Sequence, residues 1–232
     1  MSTRHKYGLG FISDQDLYNH VFETISRLKM SKDITSLEKN IVDPIKMTIE
    51  IHAYQTSPQQ AIDREIARQL GKTVEAAVGW FHQNIFRYIK GWEIPKDGVD
   101  VMNTEGTIFG EMKNKYNTMN SSSAEKVFEK LKGIIVGNPK ATAYLIEVIA
   151  KKSQDQEWHV AGQSLTPNKA ARLRQISIDR FYRLATGKKN AFRDLCTVLG
   201  LVVDDVLAEH PDLNLKTLAI QAFENECLKI AI

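Results

Sequence analysis

Cysteine is nearly absent. Only Cys196 and Cys227 carry thiols among 232 residues, too few for the disulfide framework that holds small secreted domains together. Both sit in helix-like apolar patterns and are expected to be buried thiols in a reducing compartment. Long apolar runs are absent as well: no stretch approaches the roughly 20 residues needed to cross a bilayer. The opening Met1-Ser-Thr-Arg-His-Lys6 is not followed by the hydrophobic segment of an export signal. Neither secretion nor membrane insertion is therefore expected. The six histidines show no paired spacing and the cysteines lie far apart, so a zinc hydrolase or zinc nuclease has no ligand set. Gly-x-x-x-x-Gly-Lys-Ser/Thr is missing, which argues against ATP hydrolysis. Gly-x-Ser-x-Gly, the nucleophile turn of many serine hydrolases, is missing too.

What is present is the composition of an ordinary globular chain, 43% hydrophobic and 25% charged. The length fits one domain over 1–232, with a helical N-terminal part (1–72), a core (73–150) and a mostly helical C-terminal part (151–232). The net charge of +3 is small, but it is unevenly placed. From Glu111 to Arg193 there are 16 Lys and Arg against 7 Asp and Glu, whereas the remainder has 15 against 21. A basic segment of this kind suits a polyanionic partner, although solvated helix faces are often basic as well.

Periodicity organises the chain. Ser13-Asp-Gln-Asp16 resembles a capping box before Leu17, Val21, Ile25 and Leu28 at helical spacing. A second helical stretch begins near Leu37 and is interrupted at Asp43-Pro44. Ser57-Pro58 opens a helix through Leu70 that Gly71 is expected to stop. Val74, Val78, Phe81, Ile85 and Tyr88 or Ile89 mark another, ended by Gly91. Gly98-Val-Asp-Val-Met102 and Thr107-Ile-Phe-Gly-Glu-Met-Lys113, joined through Asn103-Thr-Glu-Gly106, read as two antiparallel strands. Ser121-Ser-Ser123 can cap a helix to about Val136, and Asn138-Pro139 breaks it. Ala141–Ile149 is near-continuously apolar, as in a strand buried on both faces. A weak strand is expected around Trp158–Val160, then helices near Ile176–Ala185, Asn190–Glu209 and Leu215–Lys229. The order is that of an α/β layer arrangement: a small mixed sheet flanked by helices, with helical additions at both ends.

The hairpin carries the chemistry. Asp100 is followed after ten residues by Glu111-Met-Lys113, and period-two alternation puts Glu111 and Lys113 on one face of their strand. If Asp100 points to that face, two carboxylates and the Met112 carbonyl form an oxygen set suited to Mg²⁺. A metal so held can orient a water and stabilise charge on a phosphodiester. Lys113 would position or help deprotonate that water. The pattern is short, and such residues are often ordinary solvent-facing charges. Its context, a helix, then the hairpin, a capped helix and a buried strand, is similar to the core of the PD-(D/E)xK nucleases. Val99-Asp100 stands where that motif has Pro-Asp.

Longer stretches resemble the type II restriction endonucleases that cut GGNCC or GGWCC sites. They are Leu9-Gly-Phe-Ile-Ser-Asp14, Asn40-Ile-Val-Asp-Pro-Ile-Lys46, Gly79-Trp-Phe-His-Gln-Asn-Ile-Phe86, Gly98-Val-Asp-Val101, Glu111-Met-Lys-Asn-Lys-Tyr-Asn-Thr-Met-Asn-Ser-Ser-Ser123, Tyr144-Leu-Ile-Glu-Val-Ile-Ala-Lys151 and Ile176-Ser-Ile-Asp-Arg-Phe-Tyr182. The resemblance spans the first helix to about Val206. It implies a prokaryotic, cytoplasmic enzyme that makes Mg²⁺-dependent double-strand cuts in unmethylated DNA, alongside a companion methyltransferase acting on the same site. A palindromic target would ask for two active sites, hence a homodimer. The apolar stripe Leu195, Leu199, Val203 is a candidate interface, or packs on its own subunit.

Guanine edges are best read by Arg or Lys, which makes Arg172, Arg174 and Arg180 candidates, each with phosphate contact as the alternative. Asn117, Ser121 and Ser122 could enter a groove or simply form a turn and cap. Lys115 is expected on a phosphate, with Lys126 and Lys130 as further candidates. Glu65 or Glu75 could add an acid but reads better as surface charge, and His82 reads as structural. Glu147, in the buried strand, must have a partner or face the site edge. Two rivals stay open: another PD-(D/E)xK nuclease of repair or mobile-element type, and a DNA-binding protein of this fold that does not cut. A methyltransferase gene alongside would separate the first, and the intact Asp, Glu and Lys set argues against the second.

Overall fold

The computed structural model describes residues 6–30 and 43–213. By contact the chain divides into two compact units, one drawn from Met1–Tyr18 and Phe81–Val202, the other from Asn19–Trp80 and Val203–Ile232. Among the described residues α1 spans Asp14–Met30, α2 Pro44–Ala53 and α3 Pro58–Asn84. The capping box ahead of α1 is formed: Ser13 Oγ accepts from the Asp16 N–H at 3.0 Å and donates to Asp16 Oδ2. Asp43 caps α2 by accepting from the Ile45 N–H at 2.9 Å, with Pro44 at the first helical position. The helical stretch expected from Leu37 falls largely outside the described residues. Gly71 does not stop a helix. It lies inside α3, where about 1 kcal/mol of lost propensity is outweighed by continuous hydrogen bonding along 27 residues.

A six-stranded sheet belongs to the first unit, in the order β1-β2-β3-β4-β6-β5. Its strands are β1 (Trp92–Glu93), β2 (Val101–Asn103), β3 (Ile108–Lys115), β4 (Thr142–Ile149), β5 (Asp155–Glu157) and β6 (Leu173–Ser177). β2 and β3 pair antiparallel, with Val101 opposite Gly110; β3, β4 and β6 run parallel; β5 returns antiparallel on the edge. The helices of this part are α4 (Ser121–Gly137), the short α5 (Pro167–Ala170), α6 (Ile178–Thr186) and α7 (Ala191–Glu209). The mixed sheet flanked by helices is the α/β class expected.

The hairpin turn is closed by one buried side chain. Asn103 Oδ1 accepts from the N–H groups of Thr107 (2.8 Å) and Ile108 (2.7 Å), and Gly106 supplies the positive φ of +65° that the turn needs. Gly110 is required for a different reason: a Cβ there would lie 2.4 Å from Ile146 Cδ1 and 2.9 Å from Val101 Cγ1. On one face of the sheet, Val127, Phe128, Leu131 and Ile135 of α4 pack with Ala143, Leu145 and Leu173. On the other, Phe181 meets the rings of Phe86, Trp92 and Tyr144, with centroids 5.2, 5.2 and 6.1 Å away.

Four expectations need correction. β6 occupies Leu173–Ser177, where a helix was expected from Ile176. The edge strand ends at Glu157 instead of covering Trp158–Val160; the Trp158 N–H still bonds the Leu173 carbonyl at 2.9 Å. Asn120, not a serine, caps α4 by accepting from the Ser123 N–H at 2.8 Å. Cys196 is exposed on α7, where Ala191, Leu195, Val202 and Val206 are the residues that bury; Leu199 and Val203 are half-buried. Cys227 and the expected helix Leu215–Lys229 lie outside the described residues.

Candidate active site

β3 lies between β2 and β4, and alternation along it sends Glu111 and Lys113 to the face covered by α4. Glu111 is only 7% exposed. A carboxylate that deep requires ionic partners, and it has two: Lys113 Nζ on Oε1 at 2.8 Å and Lys130 Nζ on Oε2 at 2.5 Å. Lys113 comes from the same strand, two residues on. Lys130 comes from α4, three residues after the buried Val127 and beside the buried Leu131.

Asp100 stands at the entry to β2. Its backbone N–H donates to the Gly110 carbonyl at 3.0 Å, and its Oδ2 accepts from the Met112 N–H at 2.7 Å. The N–H and C=O of a strand residue leave on the same side, so the Met112 carbonyl also faces the Asp100 side of β3. Burial pushes the Asp100 carboxyl above the ordinary carboxylate range. The Met112 N–H opposes this, the Glu111 carboxylate adds to it, and the Lys113 and Lys130 cations oppose it. Asp100, Glu111 and Lys113 thus converge.

This donor set fits a hard divalent cation. The Glu111 carboxylate adds to the cost of ionising Asp100, a cation between them would relieve it, and a backbone carbonyl adds a third oxygen. Among the described residues no group of three or more His, Cys, Asp or Glu side chains converges.

The remaining candidates are dispersed. Lys115 ends β3, Asn117 is exposed in the turn after it, and Ser121 and Ser122 are exposed at the start of α4. Arg172 is turned into the fold: its Nη1 donates to the carbonyls of Ile135 (3.0 Å), Asn138 (3.2 Å) and Ala141 (2.8 Å). A guanidinium that holds a helix C-terminus has a structural task beside its expected place among the base readers. Arg174 pairs with Asp155, Nε to Oδ1 at 2.6 Å, and Arg180 Nε donates to Ser153 Oγ at 2.9 Å. Glu65, in the other unit, is buried against Lys46 and Arg68, which accounts for it without catalysis. Glu147 accepts from Gln175 Nε2 at 2.7 Å and lines a cleft of about 380 Å³ with Tyr116, Asn120, Trp158 and Gln175.

Lys130 is the site member that sequence reasoning misplaced, as a phosphate contact only. The signal was its position at the border of the α4 apolar stripe. Lysines there usually lay their stems along the core and send the ammonium to water, so spacing alone does not distinguish the two uses.

A carboxylate pair and a lysine stand together at the hairpin of a mixed sheet, the arrangement expected of a nuclease from the sequence. Residues 9–208 match the family model described as Eco47II restriction endonuclease. The chain belongs to that restriction endonuclease family, whose enzymes hydrolyse DNA. It is 30% identical over 213 residues to "Type II restriction enzyme Sau96I" from Staphylococcus aureus, covering 87% of this chain and 81% of the relative. To "Type II restriction enzyme Eco47II" from Escherichia coli it is 30% identical over 216 residues, covering 87% and 89%. No described helix is long and apolar enough to cross a membrane.

Proposed function

We propose that this chain makes Mg²⁺-dependent double-strand cuts at a short palindromic GC-rich site of the GGNCC type, with Asp100, Glu111 and Lys113 as its catalytic residues. The observation that carries the reading is the convergence of the Asp100 and Glu111 carboxylates, the Lys113 ammonium and the Met112 carbonyl side of β3 at one point. Asp100, Glu111 and the Met112 carbonyl would hold the ion. When bound, Mg²⁺ supplies Lewis-acid stabilisation of charge on the phosphodiester and lowers the pKa of a coordinated water. Lys113, as an ammonium, would donate a hydrogen bond that orients the attacking water and would set a cation beside the oxygens that gain charge. Burial of Glu111 keeps its geometry fixed before substrate arrives. Lys115, Asn117, Ser121 and Ser122, along the end of β3 and the start of α4, supply contacts to the DNA backbone or groove, and Arg174 and Arg180 are the remaining arginine candidates. A companion methyltransferase acting on the same sequence would protect the host DNA in a cytoplasmic setting.

The test is plasmid digestion with Mg²⁺ and mapping of the ends, for the wild type and for Asp100→Asn, Glu111→Gln and Lys113→Gln. Each variant is expected to lose at least roughly 10²–10³-fold in cleavage rate, the cost of removing one group that stabilises developing charge. Binding of duplex DNA by the Asp100 and Glu111 variants is expected to persist, because neutralising a carboxylate near phosphate lessens repulsion. Near-normal cutting by any of the three would remove that residue from the site.

A further inference from the structure

We propose that Lys130 is a positioning residue of the site: it acts as the counter-ion of Glu111 Oε2 in the metal-free enzyme and competes with the divalent ion for that oxygen. The inference rests on the nuclease reading above. Its ground is the geometry on Glu111, where each carboxylate oxygen has its own ammonium, Lys113 at 2.8 Å and Lys130 at 2.5 Å.

The two lysines are not equivalent. Lys113 sits on the strand that carries Glu111 and is 27% exposed, whereas Lys130 reaches over from α4 and is 37% exposed. With both in place, two carboxylates face two cations and the cluster is neutral; without Lys130 it carries one uncompensated negative charge. That charge would sit, mostly buried, where a polyanion has to dock. Lys130 therefore holds the Glu111 side chain in its working position and removes repulsion toward a phosphate before any metal arrives.

A divalent ion that takes Glu111 meets an ammonium already on each of its oxygens, and the repulsion between these cations sets ion and lysine in competition. Lys130 is the one free to leave. It stands on a long, partly exposed stem with a different backbone anchor, and the phosphates of bound DNA offer its ammonium a new acceptor. DNA and metal then favour each other: DNA draws Lys130 away from Oε2, which opens that oxygen to the ion. By linkage the ion frees Lys130 for DNA to the same extent.

The test compares the full chain with its Lys130→Gln and Lys126→Gln variants. Mn²⁺ is titrated in the absence of DNA and followed by its electron paramagnetic resonance signal. Lys130→Gln is expected to bind Mn²⁺ roughly three- to tenfold more tightly than wild type, the scale of one partly exposed ion pair. Lys126→Gln is expected to match wild type. A random-sequence duplex is then titrated by fluorescence anisotropy, with and without Ca²⁺. The affinity deficit of Lys130→Gln is expected to be larger with Ca²⁺ than without it, because the ion frees Lys130 for phosphate in the wild type, and that of Lys126→Gln to be the same in both. Thermal unfolding of each variant confirms that it is folded, and Lys130→Arg, which keeps the charge, is expected to bind metal-free DNA like wild type. Equal Mn²⁺ affinity in wild type and Lys130→Gln, including no binding by either, overturns the proposal. So does a deficit on DNA that ignores Ca²⁺, which would make Lys130 an ordinary phosphate contact. Failure of the wild type to cut any plasmid would instead strike the nuclease reading and leave the Mn²⁺ comparison standing.

Discussion

His82 lies among rings, with centroids 5.6 Å from Phe81 and 6.3 Å from Phe192. Its buried Nδ1 meets no hydrogen-bond partner among the described residues, and burial pushes the imidazole down to about 4 from an ordinary 6.5. The folded protein holds it neutral, whereas the unfolded chain takes up a proton once the pH drops through about 6.5. The stability His82 contributes is therefore complete above pH 6.5 and is lost as pH falls toward 4. The expected loss is on the order of 2 kcal/mol by about pH 4.5. Urea unfolding between those pH values should show a flatter pH dependence for His82→Gln than for wild type; parallel curves would mean that His82 is protonated in the fold. The residue reads as structural from the sequence, and its ring contacts agree. That Glu111 and Lys113 share a face was equally legible, because a strand's alternation dictates it, whereas the place of Asp100 came from the pairing of its strand with β3. What spacing cannot show is a partner from another element, which is why the contact of Lys130 with Glu111 emerged only from the packing of α4 on β3.

Arg172 ties three elements together at the level of packing. Its guanidinium joins the C-terminus of α4, the Asn138-Pro139 turn and the start of β4 to the first residue before β6. Hydrogen bonds from a charged group are worth roughly 1.5–3 kcal/mol each in favourable cases, and these share one nitrogen. Arg172→Met is expected to lower unfolding free energy by about 2–3 kcal/mol while leaving discrimination between cognate and random duplex unchanged. Competition binding at fixed salt checks the second half: loss of discrimination in a variant of normal stability would return Arg172 to the base readers. The role was hidden because β6 was hidden. Leu173, Ile176 and Phe181 recur at steps of three and five residues, which mimics a helix, and no glycine or proline separates β6 from α6, since Ser177 ends one and sits at the N-cap position of the other. By contrast, β4 announced itself by an apolar run too short for a helix and buried on both faces, and the β2–β3 hairpin by its turn residues. Gly71 misled in the opposite direction: one glycine lowers helix propensity, but tertiary context overrides it in α3.

The oligomeric state is a question for the whole molecule. The chain contains a single (Asp/Glu)-x-Lys, at Glu111–Lys113, so the proposed site occurs once per chain, and one such site would cleave one strand at a time. A double-strand cut in a palindrome then requires two centres related as the strands are, which a homodimer with a two-fold axis supplies most simply. For a target of odd length the axis passes through the central base pair, and each subunit reads the flanking half-site. The exposed apolar side chains do not point to one obvious seam. Leu201 of α7 is 54% exposed, while Ile45 and Ile49 on α2 are 70% and 62% exposed. Leu195, first of the expected interface stripe, is buried within its own chain. Sedimentation velocity with and without duplex DNA should show two chains per duplex at cleavage-competent concentrations. Glu substituted at Leu201, or separately at Ile45 and Ile49, is then expected to convert the dimer to monomer at one surface and not the other, with double-strand cutting reduced to nicking in the same variant. A monomer under every condition that nevertheless releases linear plasmid without a nicked intermediate would exclude the two-fold arrangement and require both strands to pass through a single Asp100–Glu111–Lys113 centre in turn.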